Sequence, residues 1–323
     1  MKLSHLFLPS LLALANALPT YAESGRDDYD LDDNGLIEIN DLADLNEIRN
    51  NLDGTALYDD LDASNNGCPQ PDGCHGFELT TDLDFDTNGD GVIDENDDYW
   101  NNGEGWEPIG NYQISNAGAE TPFTAVFNGN DHRILNLYIH CSASDDYQHG
   151  LFGFIRNASI SNLELSGELT SVDCPLAEGA VGGLVGEMDS SDVTHTHINA
   201  TVIGGDGTGV GGLIGKAEDS SVSYSSSDSR VTGLGKLRSG VGGLIGFIEN
   251  SSASNLESSG HVQRTYTDDV FTIIGGLMGT AYDTDVILSH SSASVDATEG
   301  EGYTHAGGLL GSLDGGNWRR VML

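Results

Sequence analysis

A five-residue phrase, Gly-Gly-Leu-aliphatic-Gly, recurs through the C-terminal half of this 323-residue chain. It fills residues 182–186, 211–215, 242–246, 275–279 and 307–311, and a divergent copy, Gly150-Leu151-Phe152-Gly153, precedes them. The leucines Leu151, Leu184, Leu213, Leu244, Leu277 and Leu309 follow one another at nearly equal intervals along the chain. So regular a period implies stacked repeats. One such unit is too small to bury its own apolar edge, whereas neighbouring units can bury one another's.

Each unit continues with a polar turn, such as Asp189-Ser190-Ser191, and then an alternating segment, such as residues 193–198. Period-two alternation predicts strands, and no repeat keeps a helical period. The expected fold is all-β: a right-handed parallel β-solenoid of five or six coils, with leucines one coil apart in a single row. The glycines are expected at corners, where a side chain would clash or where φ is positive. The Ser-rich runs 220–229 and 251–259 are expected to lie outward, as solvated hydroxyl ladders.

Four cysteines give an even count. Cys68 and Cys74 flank a tight Pro-Gln-Pro-Asp-Gly loop suited to a local disulfide. Cys141 and Cys174 are separated along the chain by the same interval as Leu151 and Leu184. They share a phase in adjacent coils, close enough for a second bridge. Disulfides fit an exported protein. Residues 1–22 read as a signal peptide, with an apolar stretch from Leu6 to Leu18 and cleavage expected after Ala22. No segment of the mature chain is expected to span a membrane.

The formal net charge is −39, and residues 23–104 carry 25 acidic groups against only Arg26 and Arg49. Such a surface repels nucleic acid and attracts cations. Two stretches have the spacing of calcium loops. In the first, Asp30, Asp32 and Asn34 take positions 1, 3 and 5. Gly35 makes the turn, Leu36 offers its carbonyl, and Glu38 and Asp41 fill positions 9 and 12. In the second, Asp86, Asn88 and Asp90 are followed by Gly91, the Val92 carbonyl, Asp94 and Asp97. Ca2+ is the expected cofactor, because a hard ion wants six to eight oxygens and this pattern turns them inward. Only the first loop runs into a helix, over Asp41 to Leu52, so the ions are expected to be structural. Residues 23–140 read as a calcium-binding, helix-containing N-terminal cap with the first strands, including one at 77–80 and two around a turn at Asn128-Gly129-Asn130. Residues 141–316 read as the solenoid, and 317–323 as a tail outside the repeat, expected of a longer polypeptide.

The Gly-Gly-Leu phrase resembles the GLUG motif of large bacterial surface and secreted proteins. The stretches DLDDNGLIEINDLADLNEIRNNLDG, ELTTDLDFDTNGDGVIDENDDYWNNGEGWEPIG and FTAVFNGNDHRILNLYI are similar to regions that precede such repeats. The resemblance implies a β-helix protein outside the cell or at its surface, often adhesive. Some relatives carry a protease domain, and no motif here matches one: the chain contains neither HExxH nor GxSxG. No residue is assigned a catalytic role. His195 and His197 lie two apart on a presumed strand and are expected to be solvated. Asp145-Asp146 and Asp268-Asp269 are pairs that could do acid–base work, weak signals in so acidic a chain. The expected function is binding of a glycan or of a cell-surface or matrix ligand. The alternative is an extracellular polysaccharide-active hydrolase or lyase.

Overall fold

The computed structural model describes residues 26, 28–57, 67–112, 120–144, 147–205, 207–234, 240–265, 272–297 and 304–319. The expected leader, Asp145-Asp146 and Asp268-Asp269 lie outside them. The described chain is a parallel β-solenoid with little helix. From Val181 onward each coil contributes to three ladders. The first holds Val181–Gly182, Val210–Gly211, Val241–Gly242, Thr272–Gly275 and Thr304–Gly307. The second runs from Phe152–Arg156 through Val185–Asp189, Ile214–Glu218, Ile245–Glu249 and Met278–Tyr282 to Leu310–Asp314. The third and largest carries the remaining strands of each coil.

The leucines form one buried row joined along the stack. Leu184 donates its N–H to the carbonyl of Leu213, Leu213 to that of Leu244, Leu244 to that of Leu277 and Leu277 to that of Leu309, at 2.8–3.0 Å. Leu151, Leu184, Leu213, Leu244 and Leu277 are at most 1% exposed. The glycines before each leucine hold ordinary backbone angles; none of those from 182 to 276 has positive φ. Space is their reason: a Cβ on Gly243 would run into the carbonyl oxygen of Gly276 one coil on.

Positive φ falls elsewhere, at two corners stacked in register. Asn157, Ser190, Asp219, Asn250 and Asp283 take φ of 42–51° at one, and Asn162, His195, Tyr224, Asn255 and Leu288 take 49–54° at the other. Asn and Asp tolerate this region; His, Tyr and Leu accept some strain to keep the corner. The corner at His195 interrupts the alternation, so His195 and His197 do not form a pair. His195 stacks on Tyr224 at 4.9 Å, and His197 Nδ1 lies 2.8 Å from Ser226 Oγ.

The serine runs depart from expectation. Ser220, Ser225, Ser227, Ser229, Ser251 and Ser258 are buried. Just past the first corner, Ser191, Ser220, Ser251 and Thr284 form an internal ladder. Each hydroxyl donates to the carbonyl two residues earlier, at 2.5–2.8 Å. Each also accepts a backbone N–H from the preceding coil, at 2.9–3.4 Å. At a corner the backbone cannot pair with its neighbour, and a short hydroxyl replaces the missing carbonyl. Sequence alternation places these residues correctly only if the corner is known.

One row of register partners runs Ile37, Phe77, Phe127, Ile160, Val193, Val222, Ala253, Val286, Trp318. The described strands between Ile37 and His140 are therefore continuous with the solenoid sheet. Val126–Asn128, Arg133–Leu135 and Tyr138–His140 are three strands around corners, each paired in parallel with other coils. The segment read as a tail joins the stack at Trp318–Arg319. The helix is short, Leu42–Glu47 with Asp41 as its N-cap, then a 3-10 turn Ile48–Asn50.

Both expected disulfides are present. Cys68 and Cys74 have Cα atoms 5.1 Å apart, and Cys141 and Cys174, in adjacent coils, 4.6 Å. On the outer side of the second ladder, acids stack on acids: Asp189 pairs with Glu218, and Glu218 with Glu249. Arg156 meets Asp189 at 2.8 Å, and Lys216 lies 2.9 Å from Glu187 and 3.0 Å from Glu218.

Ser251→Ala removes both an acceptor and a donor from the interior. It should cost about 1–3 kcal/mol in urea denaturation, while exposed Ser252→Ala should stay within about 0.5 kcal/mol. Equal effects would contradict the internal ladder. Replacing Cys141 and Cys174 together by Ala opens the loop that their bridge closes. The double variant should lose about 3 kcal/mol by the same measurement.

Candidate metal loops and an aromatic-lined cleft

Both acidic loops fold on one template. The position-1 carboxylate accepts the N–H groups of positions 5 and 6: Asp30 from Asn34 and Gly35, Asp86 from Asp90 and Gly91, at 2.8–3.1 Å. Position 3 accepts from position 5, and position 5 from position 7. Gly35 and Gly91 turn the chain with φ of 83° and 84°, a conformation that disfavours side chains. These bonds curl both loops tightly around their position-1 carboxylates, Asp30 and Asp86.

The loops differ at their ends. In the second, Asp97 folds back and is 6% exposed. Its Oδ1 accepts from the Thr87 N–H at 2.8 Å, and its Oδ2 from the Asp94 N–H at 2.9 Å. In the first, Asp41 is exposed and caps the helix, accepting the Asp44 N–H at 2.8 Å. Asp41 thus serves as the N-cap of the helix. Beside the first loop lies Glu78, which the spacing of a single loop could not reveal. Ile37–Ile39 pairs in parallel with Gly76–Leu79, and the register sets Glu38 beside Glu78. Asn34 Nδ2 bridges Asp32 Oδ2 and Glu78 Oε1, each at 3.1 Å.

Burial makes this cluster costly without a counter-charge. Asp30 is 0% exposed, and Glu38 and Glu78 are each 5% exposed. Burial pushes all three carboxyls above the usual carboxylate range, and the neighbouring acids push them further: Asp32 and Asp33 act on Asp30, and Asp30 and Asp32 on Glu38 and Glu78. The Leu31 N–H and Arg26 oppose the shift at Glu38. Arg26 donates to the Glu38 carbonyl and to Asp44 instead of the Glu38 carboxylate. Glu38 Oε1 accepts the Leu31 N–H at 2.9 Å, which anchors the carboxyl inside the loop, and Oε2 is buried with no hydrogen-bond partner.

The second loop leads directly into an aromatic group. Trp100 donates its N–H to the Asp97 carbonyl. Tyr99 packs edge-on against Phe85 and Trp106, and its hydroxyl donates to the Leu42 carbonyl at 3.0 Å. Burial, with Asp41 and Asp98 nearby, raises that phenol to about 12. Trp100 stacks on Tyr138 with centroids 5.6 Å apart, and Tyr138 stacks on His140 at 6.5 Å. All three rings are half-buried. Next to them opens a cleft of about 720 Å³, lined among others by Asn101, Glu104, Glu107, His140, Tyr147 and His149. Arg49 closes one side, its guanidinium over the Trp106 ring and bonded to the carbonyls of Glu107 and Pro108. Among the described residues the one group of three His, Cys, Asp or Glu side chains with mutual metal-ligand spacing is Cys141, His149 and Cys174, and its sulfurs form the inter-coil disulfide.

Comparison with known proteins agrees with this architecture. The family model of the GLUG motif matches residues 206–232. Among solved structures, the chain is similar to a "putative immunoglobulin A1 protease" from Bacteroides ovatus. The TM-score is 0.52 at 18% identity, over 88% of this chain and 74% of that one. A likeness at that identity speaks for the fold alone. No curated protein is similar enough to this chain to count as a relative. No helix among the described residues is long and apolar enough to cross a membrane. Motif, inter-coil leucine row and solved neighbour agree: the chain carries a GLUG motif at residues 206–232 and its described residues fold as a parallel β-solenoid.

Proposed function

We propose that this chain works outside the cell as a calcium-stabilised, right-handed β-solenoid that binds a glycan or glycan-bearing ligand at a cell or matrix surface. The observation that carries the reading is the direct connection between the second acidic loop and the Trp100–Tyr138–His140 stack beside the cleft. Stacked, half-buried rings offer flat apolar faces for the C–H faces of a sugar, and Asn101, Glu104 and His140 offer hydrogen bonds at their edge. An ion in the second loop would be held by Asp86, Asn88, Asp90, the Val92 carbonyl, Asp94 and Asp97. It would fix the backbone from which Trp100 projects. In the first loop the buried, unpartnered Glu38 oxygen fits a hard cation. Both disulfides suit an oxidising compartment.

A second reading has an observation of its own. Glu104 and Glu107 line the same cleft, and two carboxyls flanking a bound sugar are the apparatus of glycosidic hydrolysis. The name of the Bacteroides ovatus neighbour supplies no activity here, since only the fold is shared.

Two measurements test the proposal. With free calcium a hundredfold above Kd, each ion adds about 2.7 kcal/mol. Excess EDTA should therefore lower Tm by roughly 4 °C per site. An unchanged Tm would remove calcium from the reading. On a glycan array, the chain should bind in calcium, bind weakly in EDTA, and lose about tenfold in affinity on Trp100→Ala, because the sugar's C–H face loses the apolar ring surface that it would cover. Release of shortened saccharide would replace binding by hydrolysis. No glycan bound in either condition would sink both.

A further inference from the structure

We propose that the first acidic loop is completed by Glu78 of the following coil and not by its own twelfth residue, so that one divalent, oxygen-seeking cation is shared between two rungs of the solenoid. This rests on the calcium reading above and deepens it. In a self-contained loop the twelfth side chain folds back onto the ion. Asp97 adopts that position in the second loop, nearly buried and bonded to loop N–H groups. Asp41 does not: it is exposed and committed to the N-cap of Leu42–Glu47. The first loop would be left one carboxylate short.

The parallel register supplies it. Glu38 and Glu78 are direct partners across neighbouring strands, whose backbones lie about 4.8 Å apart. Both side chains point away from the apolar interior, opposite to Ile37 and Phe77, and both are covered, at 5% exposure. A second and independent sign comes from Glu38. Its carboxyl is pinned inside the loop through Oε1 and the Leu31 N–H, and its Oε2 is buried without a partner. A carboxylate oxygen rarely stays buried and unpaired. The Asn34 amide ties the loop to the second coil, 3.1 Å from both Asp32 Oδ2 and Glu78 Oε1. A cation drawn to the Glu38 oxygen would gather these carboxylates from two coils. It would hold the first two rungs together where their strands, Ile37–Ile39 and Gly76–Leu79, are joined by a long excursion of the chain.

Isothermal titration of the full chain with calcium chloride, alongside melting with and without EDTA, tests this. The unsubstituted chain should bind two ions. Glu78→Gln should weaken one site by about tenfold or more and leave the other unchanged. Asp41→Asn should bind both ions normally, because Asn caps a helix as well as Asp. Asp86→Asn should damage only the second site. Glu78→Gln removes a charge from a crowded, buried group. It should therefore melt no lower than the parent in EDTA, yet gain less from calcium. That pattern separates a ligand from a residue that merely props up the fold. Two normal sites in Glu78→Gln, with one lost in Asp41→Asn, would overturn the shared site and leave the calcium reading standing. Absence of any calcium binding by the unsubstituted chain would overturn both.

Discussion

Hydrogen bonds that run along the stack, from each coil to the next, govern everything else in this molecule. They fix which residue lies above which, and so they turn a sequence period into a set of side-chain neighbours. The leucine row, the internal hydroxyl ladder, the Cys141–Cys174 bridge and the meeting of Glu38 with Glu78 are all consequences of one register. Close backbone approach is its condition. The glycines ahead of each leucine serve that condition, since a methyl group there would occupy the next coil's carbonyl.

Much of the fold was legible from the chain itself because the period survives intact from Leu151 onward. The coil phase of Cys141 and Cys174 followed from the same arithmetic. Toward the N-terminus the period fails: the register partners Ile37 and Phe77, and then Phe77 and Phe127, are more widely separated along the chain than any two successive leucines of the row. The Cys loop and the second acidic loop are inserted there, so the repeat could not be followed into the region read as a cap with the first strands. Serine burial was missed for another reason. Alternation assigns faces along a straight strand, and each positive-φ corner resets the count. Nothing in Asp219, Asn250 or Tyr224 taken singly announces such a corner; only their stacking does.

The candidate site shows the same division. Loop spacing named Asp30, Asp32, Asn34 and Glu38, and later Asp86 through Asp97, from local pattern alone. Glu78 was hidden, being remote from Glu38 in sequence and in no motif with it. Asp41 also caps the helix Leu42–Glu47, a role that the loop spacing does not announce. Trp100 and Tyr138, also distant along the chain, are joined only because the loop ending at Asp97 and the strand Tyr138–His140 are neighbours in the fold.

In-register stacking has an electrostatic corollary. A parallel solenoid sets like beside like, so an acid kept at one phase becomes a line of acids. Asp189, Glu218 and Glu249 form such a line, neutralised at its flanks by Arg156 and Lys216. Repulsion within a line of this kind accumulates with every added coil, while the hydrogen bonds contribute the same amount each time. Dissolved salt shortens the range of that repulsion to about 8 Å at physiological ionic strength, less than two coil spacings. The molecule therefore behaves in part as a polyelectrolyte rod, whose cohesion at its acidic edge is set by the water around it as much as by its own contacts.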